Sequence, residues 1–131
     1  MDVKPILLKA TIYWAELNKL NKYSNKYQVQ LGNLSEAAVE ALREINIEAR
    51  NKGDERGYFI TCKSMQPIAA KLKDGEYIPE DVLIANGSTA VGMVGSYRWK
   101  SGEGHSPTLS KLTITDLIEY EVEELDVEEA L

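Results

Sequence analysis

The chain has one cysteine, Cys62, and one histidine, His105. A lone cysteine excludes an internal disulfide framework and a zinc knuckle or ribbon, both of which need cysteines in sets. Cys62 therefore reads as a small buried apolar group rather than a nucleophile. With a single histidine, any catalytic or metal site would rest mainly on carboxylates. His105 adjoins Ser106 on a glycine-rich stretch, but neighbouring side chains with no orienting acid do not make a triad. Nucleotide fingerprints are missing too: Gly92 and Gly95 fall inside an expected strand, and Asn86-Gly87-Ser88 lacks the Gly-Lys-Ser/Thr order of a phosphate loop. No hydrophobic run approaches the roughly 20 residues needed to span a bilayer. No internal repeat is evident. These absences point to a soluble, non-enzymatic protein of a reducing compartment, with no cofactor and no metal.

What is present is a chain of 131 residues, 44% apolar and 27% charged, enough for one domain with a real core. Its formal charge of -6 is unevenly placed. Residues 119-131 hold seven carboxylates and no Lys or Arg, so residues 1-118 carry +1. The acidity belongs to the tail, and a near-neutral body can present a basic face. The tail's aliphatics, Val122, Leu125, Val127 and Leu131, are too few for it to fold alone. The organisation is thus a folded domain over 1-118 and an acidic, disordered tail over 119-131.

Five main strands and one helix are expected. Leu8 to Leu17 alternates, with Ile12 and Trp14 on the core face and Tyr13 on the outer one. Asn18 to Lys26 is a basic loop. Tyr27, Val29 and Leu31 point inward on a second strand. Ser35 is the N-cap of a helix of about 17 residues stopped by Gly53, with Glu36, Glu40, Glu44 and Glu48 lining a face turned away from any polyanion. Tyr58 to Ser64 is a third strand, in which Phe59 and Ile60 take opposite faces. Ile68 to Ala70 reads as a short edge within a long connection, and Asn86-Gly87-Ser88 as a turn. Thr89 to Lys100 and Leu109 to Tyr120 are the last strands, joined by a flexible loop over 101-107. The fold class is mainly β with one principal helix: a five-stranded, partly closed barrel with the helix inserted between the second and third main strands.

The positive functional signal is the interleaving of aromatic and basic residues on strands and their loops. Tyr13 and Trp14 lie on the first strand, Tyr23 stands between Lys22 and Lys26, and Tyr58 is near Lys63. Lys71 and Lys73 form a basic pair, and Tyr97 and Trp99 flank Arg98, followed by Lys100. Unpaired bases offer flat faces to aromatic rings, and nearby cations neutralise the phosphates. Trp99 is the strongest single candidate, because its basic neighbours and strand-end position favour an exposed ring. The other reading of the same residues is core and subunit contact, in a protein-interaction or structural module, or in an accessory subunit whose partner does chemistry.

At Tyr13-Trp14, Tyr27-Gln28-Val29-Gln30-Leu31, Tyr58-Phe59-Ile60-Thr61-Cys62-Lys63-Ser64 and Leu112-Thr113-Ile114 the chain resembles small bacteriophage single-stranded DNA-binding proteins of OB fold with an acidic C-terminus. The likeness spans roughly residues 8-120. It implies non-sequence-specific binding and protection of single-stranded DNA during phage replication, recombination or repair, in the cytoplasm of an infected bacterium. It places the binding cleft at Tyr58, Lys63, Tyr97, Arg98, Trp99 and Tyr13. It also implies that the tail, through Glu123, Glu124, Asp126, Glu128, Glu129 and Leu131, engages phage or host replication proteins. Two features depart from that pattern. The chain ends in Leu131, where many such tails end in an aromatic residue, and the helix follows the second strand, where a generic OB barrel has it after the third.

Overall fold

A computed structural model describes residues 5-17, 25-79, 82, 84-99, 102 and 104-118. In chain order the elements are β1 (Ile6–Glu16), β2 (Tyr27–Gly32), α1 (Glu36–Glu44), β3 (Arg50–Asn51), β4 (Tyr58–Ser64), β5 (Ala70–Leu72), β6 (Thr89–Arg98) and β7 (His105–Asp116). They form one sheet in the order β3-β4-β2-β1-β6-β7-β5, antiparallel except for the β5-β7 pair. The mainly β class and the position of the helix match the sequence expectation. The five-stranded barrel does not: the sheet has seven strands, and among the described residues no ladder closes it into a barrel. The extra strands, β3 and β5, are two and three residues long, too short to show a period.

Alternation fixes the inner face. Leu8, Ala10 and Ile12 of β1 are buried with Val29 and Leu31 of β2, Ile60 and Cys62 of β4, Ala90 and Val94 of β6, and Leu112 and Ile114 of β7. Their registers agree, since Ile12 pairs with Leu31, Leu31 with Ile60, and Ala90 with Ile114. A period-two pattern can bury only one such set per strand. Gly92 belongs to it because a β-carbon there would come within 3.3 Å of Leu31. The buried Cys62 thiol is pushed up to about 12 by desolvation.

Helix α1 has nine residues rather than seventeen. Ser35 caps its start, accepting from the Ala38 amide at 3.1 Å. Its end is set by Asn46, at φ +65, not by Gly53. The Asn46 amide donates to the Arg43 carbonyl and the Ile47 amide to the Leu42 carbonyl, at 3.0 and 2.9 Å. These two bonds are a Schellman closure, and Asn tolerates the left-handed conformation it needs. Leu42 and Ile47 bury their side chains together in the core, which makes the stop stronger than the propensity of residues 47-52. Glu48 consequently lies beyond the helix, although Arg43 still reaches it at 3.5 Å.

The turn at 86-88 is present and ties β1 to the residues that follow β7. The buried Ser88 hydroxyl donates to the Ala85 carbonyl at 2.9 Å and accepts from the Ile118 amide at 2.9 Å, while the Ile12 amide donates to the Ser88 carbonyl. The last two main strands also shift from their expected bounds. The β6-β7 ladder begins at Arg98 and His105, so residues 105-107 are strand rather than loop.

Candidate nucleic-acid interface

The aromatic pair of β1 is inverted relative to expectation. Tyr13 is buried, 6% exposed, and Trp14 is 55% exposed. The alternation fails because β1 carries a bulge between Tyr13 and Glu16, with Trp14 at φ +49. A bulge inserts one residue into the strand and so reverses the face of every residue beyond it. Asn86 steadies the strained residue by accepting the Trp14 amide at 2.8 Å. Tyr13 is a packing residue: its hydroxyl donates to the Glu55 carbonyl at 3.2 Å and accepts from Asn33 at 2.9 Å. A β-carbon on Gly32 would sit 2.8 Å from its ring. Tyr13 therefore offers no open face to a base.

Phe59 is buried on the same outer side under Arg56, whose guanidinium lies 4.1 Å from the ring centroid. Arg56 is also bonded to Asp54 and Gln30. Hydrogen bonds from Arg56 hold the Asp54 carboxyl below the usual carboxylate range. This cation is engaged in closing the 52-57 loop over Tyr13 and Phe59.

The β6-β7 hairpin carries the best platform. Antiparallel partners share a face, so Tyr97 lies with Ser106, and Arg98 with His105 on the opposite side. Tyr97 and Trp99 are 52% and 47% exposed. The Trp99 indole N–H donates to the Ser106 hydroxyl at 2.6 Å, and its ring lies on Gly104. One face is thus backed by the chain, while the ring remains half exposed. A backed ring has little conformational entropy left to lose when a base stacks on it. On the other side, Arg98 lies along Gly102, and the Ser96 hydroxyl is 3.0 Å from His105 Nδ1.

From Trp99 the outer face continues along the ladder. Met93 pairs with Lys111 and with Leu7, and Val91 pairs with Thr113 and with Lys9. Lys71 on β5 pairs with Thr113. These pairings set Lys9, Lys71 and Lys111 on one strip with Tyr97 and Trp99, about 26 Å long from Val91 to Trp99 at about 3.3 Å per residue. All three lysines are exposed. A shallow groove of about 420 Å³ adjoins the strip, lined by Lys9, Thr11, Asn33, Thr89, Val91 and Thr115. Strands β1, β5, β6 and β7 hold only two acids, Glu16 and Asp116, both at strand ends. Screening over about 8 Å makes this local sign matter more than the net charge.

Not every expected residue joins the strip. Lys63 is exposed on β4 opposite Gln28, and Tyr58 is exposed at the start of β4 opposite Asn51. Lys26 is half-buried just before β2, and Lys73 is exposed in the turn after β5. Tyr23, Lys100 and the tail residues Glu123, Glu124, Asp126, Glu128, Glu129 and Leu131 lie outside the described residues. The sequence reading missed Lys9, Lys111 and Ser106. Period-two alternation does place Lys9 outward, but nothing in it tells that β1 lies beside β6.

A partly open cavity of about 300 Å³ is lined chiefly by aliphatic side chains including Leu17, Ile68, Ile78, Val82 and Ile84, with Tyr77 on its wall. Among the described residues no cluster of three or more His, Cys, Asp or Glu is placed to hold a metal ion, and no helix is long and apolar enough to cross a membrane.

No family model and no curated protein matches the chain. Solved structures do resemble it. The single-stranded DNA-binding protein from bacteriophage Enc34 matches with a TM-score of 0.58 at 12% identity, over 96% of this chain and 89% of that one. The same protein in complex with ssDNA gives 0.60 at 11% identity, covering 88% of each chain. The single-stranded DNA-binding protein gp2.5 of bacteriophage T7 gives 0.53 at 14% identity, over 97% and 96%. At such identities the likeness is one of fold.

Proposed function

We propose that this protein binds single-stranded DNA without sequence specificity, through stacking on Trp99 and Tyr97 and phosphate contacts to Lys9, Lys71 and Lys111. The observation that carries this reading is Trp99, a half-exposed indole fixed by Ser106 and Gly104 at the end of a lysine strip that lacks acids. The fold likeness to phage proteins of that function supports it. So does the strand count, since setting aside the short β3 and β5 leaves five long strands, as many as an OB fold has. In OB folds the loops joining the first two and last two strands flank the nucleic acid. Here those loops carry Lys19, Lys22, Tyr23 and Lys26, and Trp99 and Lys100. Leu7 and Met93 on the strip are interleaved with lysines, which favours a polyanion over an apolar protein partner.

In this reading the protein covers single strands exposed during phage replication, recombination or repair, in the cytoplasm of an infected bacterium, and acts without catalysis. The acidic tail meets basic replication partners and competes with DNA for the lysines. Removing residues 119-131 changes the formal charge from -6 to +1, so truncation raises DNA affinity, chiefly at low salt.

The test is a titration with single-stranded and duplex DNA of matched sequence over a salt series. The single strand binds more tightly, and log affinity falls with log salt by about 0.7 per phosphate contact. Equal affinity for the duplex, or no binding at low salt, contradicts the proposal.

A further inference from the structure

Tyr77 stands at the far end of the strip, and the sequence alone gives it no role. It is 63% exposed, the most exposed aromatic side chain among the described residues. An antiparallel bridge pairs it with Lys71, which pairs in turn with Thr113 of β7. Register partners share a face, so Tyr77 belongs to the outer face that carries Lys9, Lys111, Tyr97 and Trp99. The Lys71 ammonium lies 4.7 Å from its ring centroid. Tyr77 also lines the aliphatic cavity beside Leu17 and Ile78. An exposed aromatic ring with a cation over it thus stands at this end of the strip, as the exposed Trp99 ring stands at the other.

We infer that Tyr77 and Lys71 form a second base-stacking station, so that one DNA strand bridges from Trp99 to Tyr77 along β7. This rests on the reading of the strip as a single-stranded DNA site and adds its length. From Ser106, beneath Trp99, to Thr113, beside Lys71, the strand advances about 20 Å, allowing for the bulge near Ser110. A stacked strand rises about 3.4 Å per nucleotide, so about six nucleotides join the stations. The lysines along the path, Lys111 and Lys9, meet the phosphates between them. At Tyr77 the incoming base takes the ring and the Lys71 ammonium moves to the neighbouring phosphate. An exposed cation-ring contact is weaker than a stacked base with its paired phosphate, which makes the exchange favourable.

The experiment measures affinities of the full chain for oligothymidylates of four and sixteen nucleotides, comparing the native protein with Trp99→Ala, Tyr77→Leu and Tyr77→Phe. Tyr77→Leu keeps an apolar contact with the cavity and removes the ring, so thermal melting is expected to be unchanged. The inference predicts that Tyr77→Leu weakens sixteen-nucleotide binding by about 5- to 150-fold and four-nucleotide binding far less, while Tyr77→Phe stays near native. The advantage of the longer oligonucleotide shrinks in both Trp99→Ala and Tyr77→Leu. If Trp99→Ala lowers affinity and Tyr77→Leu leaves the sixteen-nucleotide value unchanged, the second station is refuted and the DNA site at Trp99 stands. If the native protein binds neither length, both fall together. Should Tyr77→Leu melt early, photocrosslinking of the native chain to a sixteen-nucleotide strand carrying 5-iodouracil decides the matter: an adduct at Tyr77 supports the station, and adducts elsewhere with none at Tyr77 refute it.

Discussion

The indole of Trp99 rests so closely on the backbone of Gly104 that a methyl group on that glycine would lie 2.8 Å from the ring. Gly104 is thus the floor of the platform, and Ser106 is its lateral restraint. Because the ring is half exposed, a side chain at 104 displaces the ring rather than breaking the fold. Gly104→Ala is expected to lower single-stranded DNA affinity toward that of Trp99→Ala, a loss of about 1-3 kcal/mol, with the melting temperature nearly unchanged. Affinity measured beside a thermal melt checks this. An early melt with native affinity would instead make Gly104 a folding residue.

Tyr13 and Trp14 are expected to separate stability from binding. Tyr13→Ala removes a buried ring and two hydrogen bonds, at a cost of about 3-5 kcal/mol by analogy with other buried aromatic truncations. Trp14→Ala, on an exposed side chain, changes stability by about 0.5 kcal/mol or less. Denaturant unfolding of the two variants measures both. Comparable losses would mean that the β1 bulge depends on the Trp14 ring.

The same pair marks the limit of what the sequence could tell. The main strands and the inward pair Val29-Leu31 followed from alternation, and the Ser35 cap from its position before the helical stripe. A one-residue bulge carries no signature in Tyr13-Trp14-Ala15, yet it turns Trp14 to solvent, while the 52-57 loop covers Tyr13 on the outer face. The helix was overextended because apolar spacing continues to Ala49, whereas the stop depends on Asn46 accepting a left-handed backbone. Trp99 was legible from its basic neighbours. Lys9 was not, because its place on the strip arises from the β1-β6 register, which joins residues 78 to 88 positions apart; Lys111 was not, because the bulge between Met93 and Val94 sets its partner across the β6-β7 hairpin.

Each lysine of the strip is expected to contribute to the salt dependence. Lys9→Ala and Lys111→Ala should each reduce the slope of log affinity against log salt by about 0.7, while Lys52→Ala, in the loop before β4, should not. Titrations at several salt concentrations test this. Unchanged slopes for both strip variants would move the phosphate path to Lys63 and the 19-26 loop.

Cys62 links stability to pH at the alkaline end. Burial raises its thiol from 9.0 to about 12, so the folded state holds the proton more tightly than the unfolded chain. That contribution is complete below pH 9 and is lost as the pH rises toward 12. Native Cys62 is expected to resist thiol reagents at pH 8 and to react on unfolding, and Cys62→Ala should flatten the decline in stability between pH 9 and 11. Rapid labelling of the folded protein would contradict the buried placement.

The most direct measurement of the central claim uses Trp14→Phe, which leaves Trp99 as the only indole. Titrating this variant with oligothymidylate while reading tryptophan fluorescence asks whether a base reaches that ring. The account predicts saturable quenching by the single strand, with an affinity close to that of the native protein, and little quenching by a matched duplex. Binding detected by an independent readout such as anisotropy, with Trp99 emission unchanged, would show that DNA lies elsewhere and would contradict it.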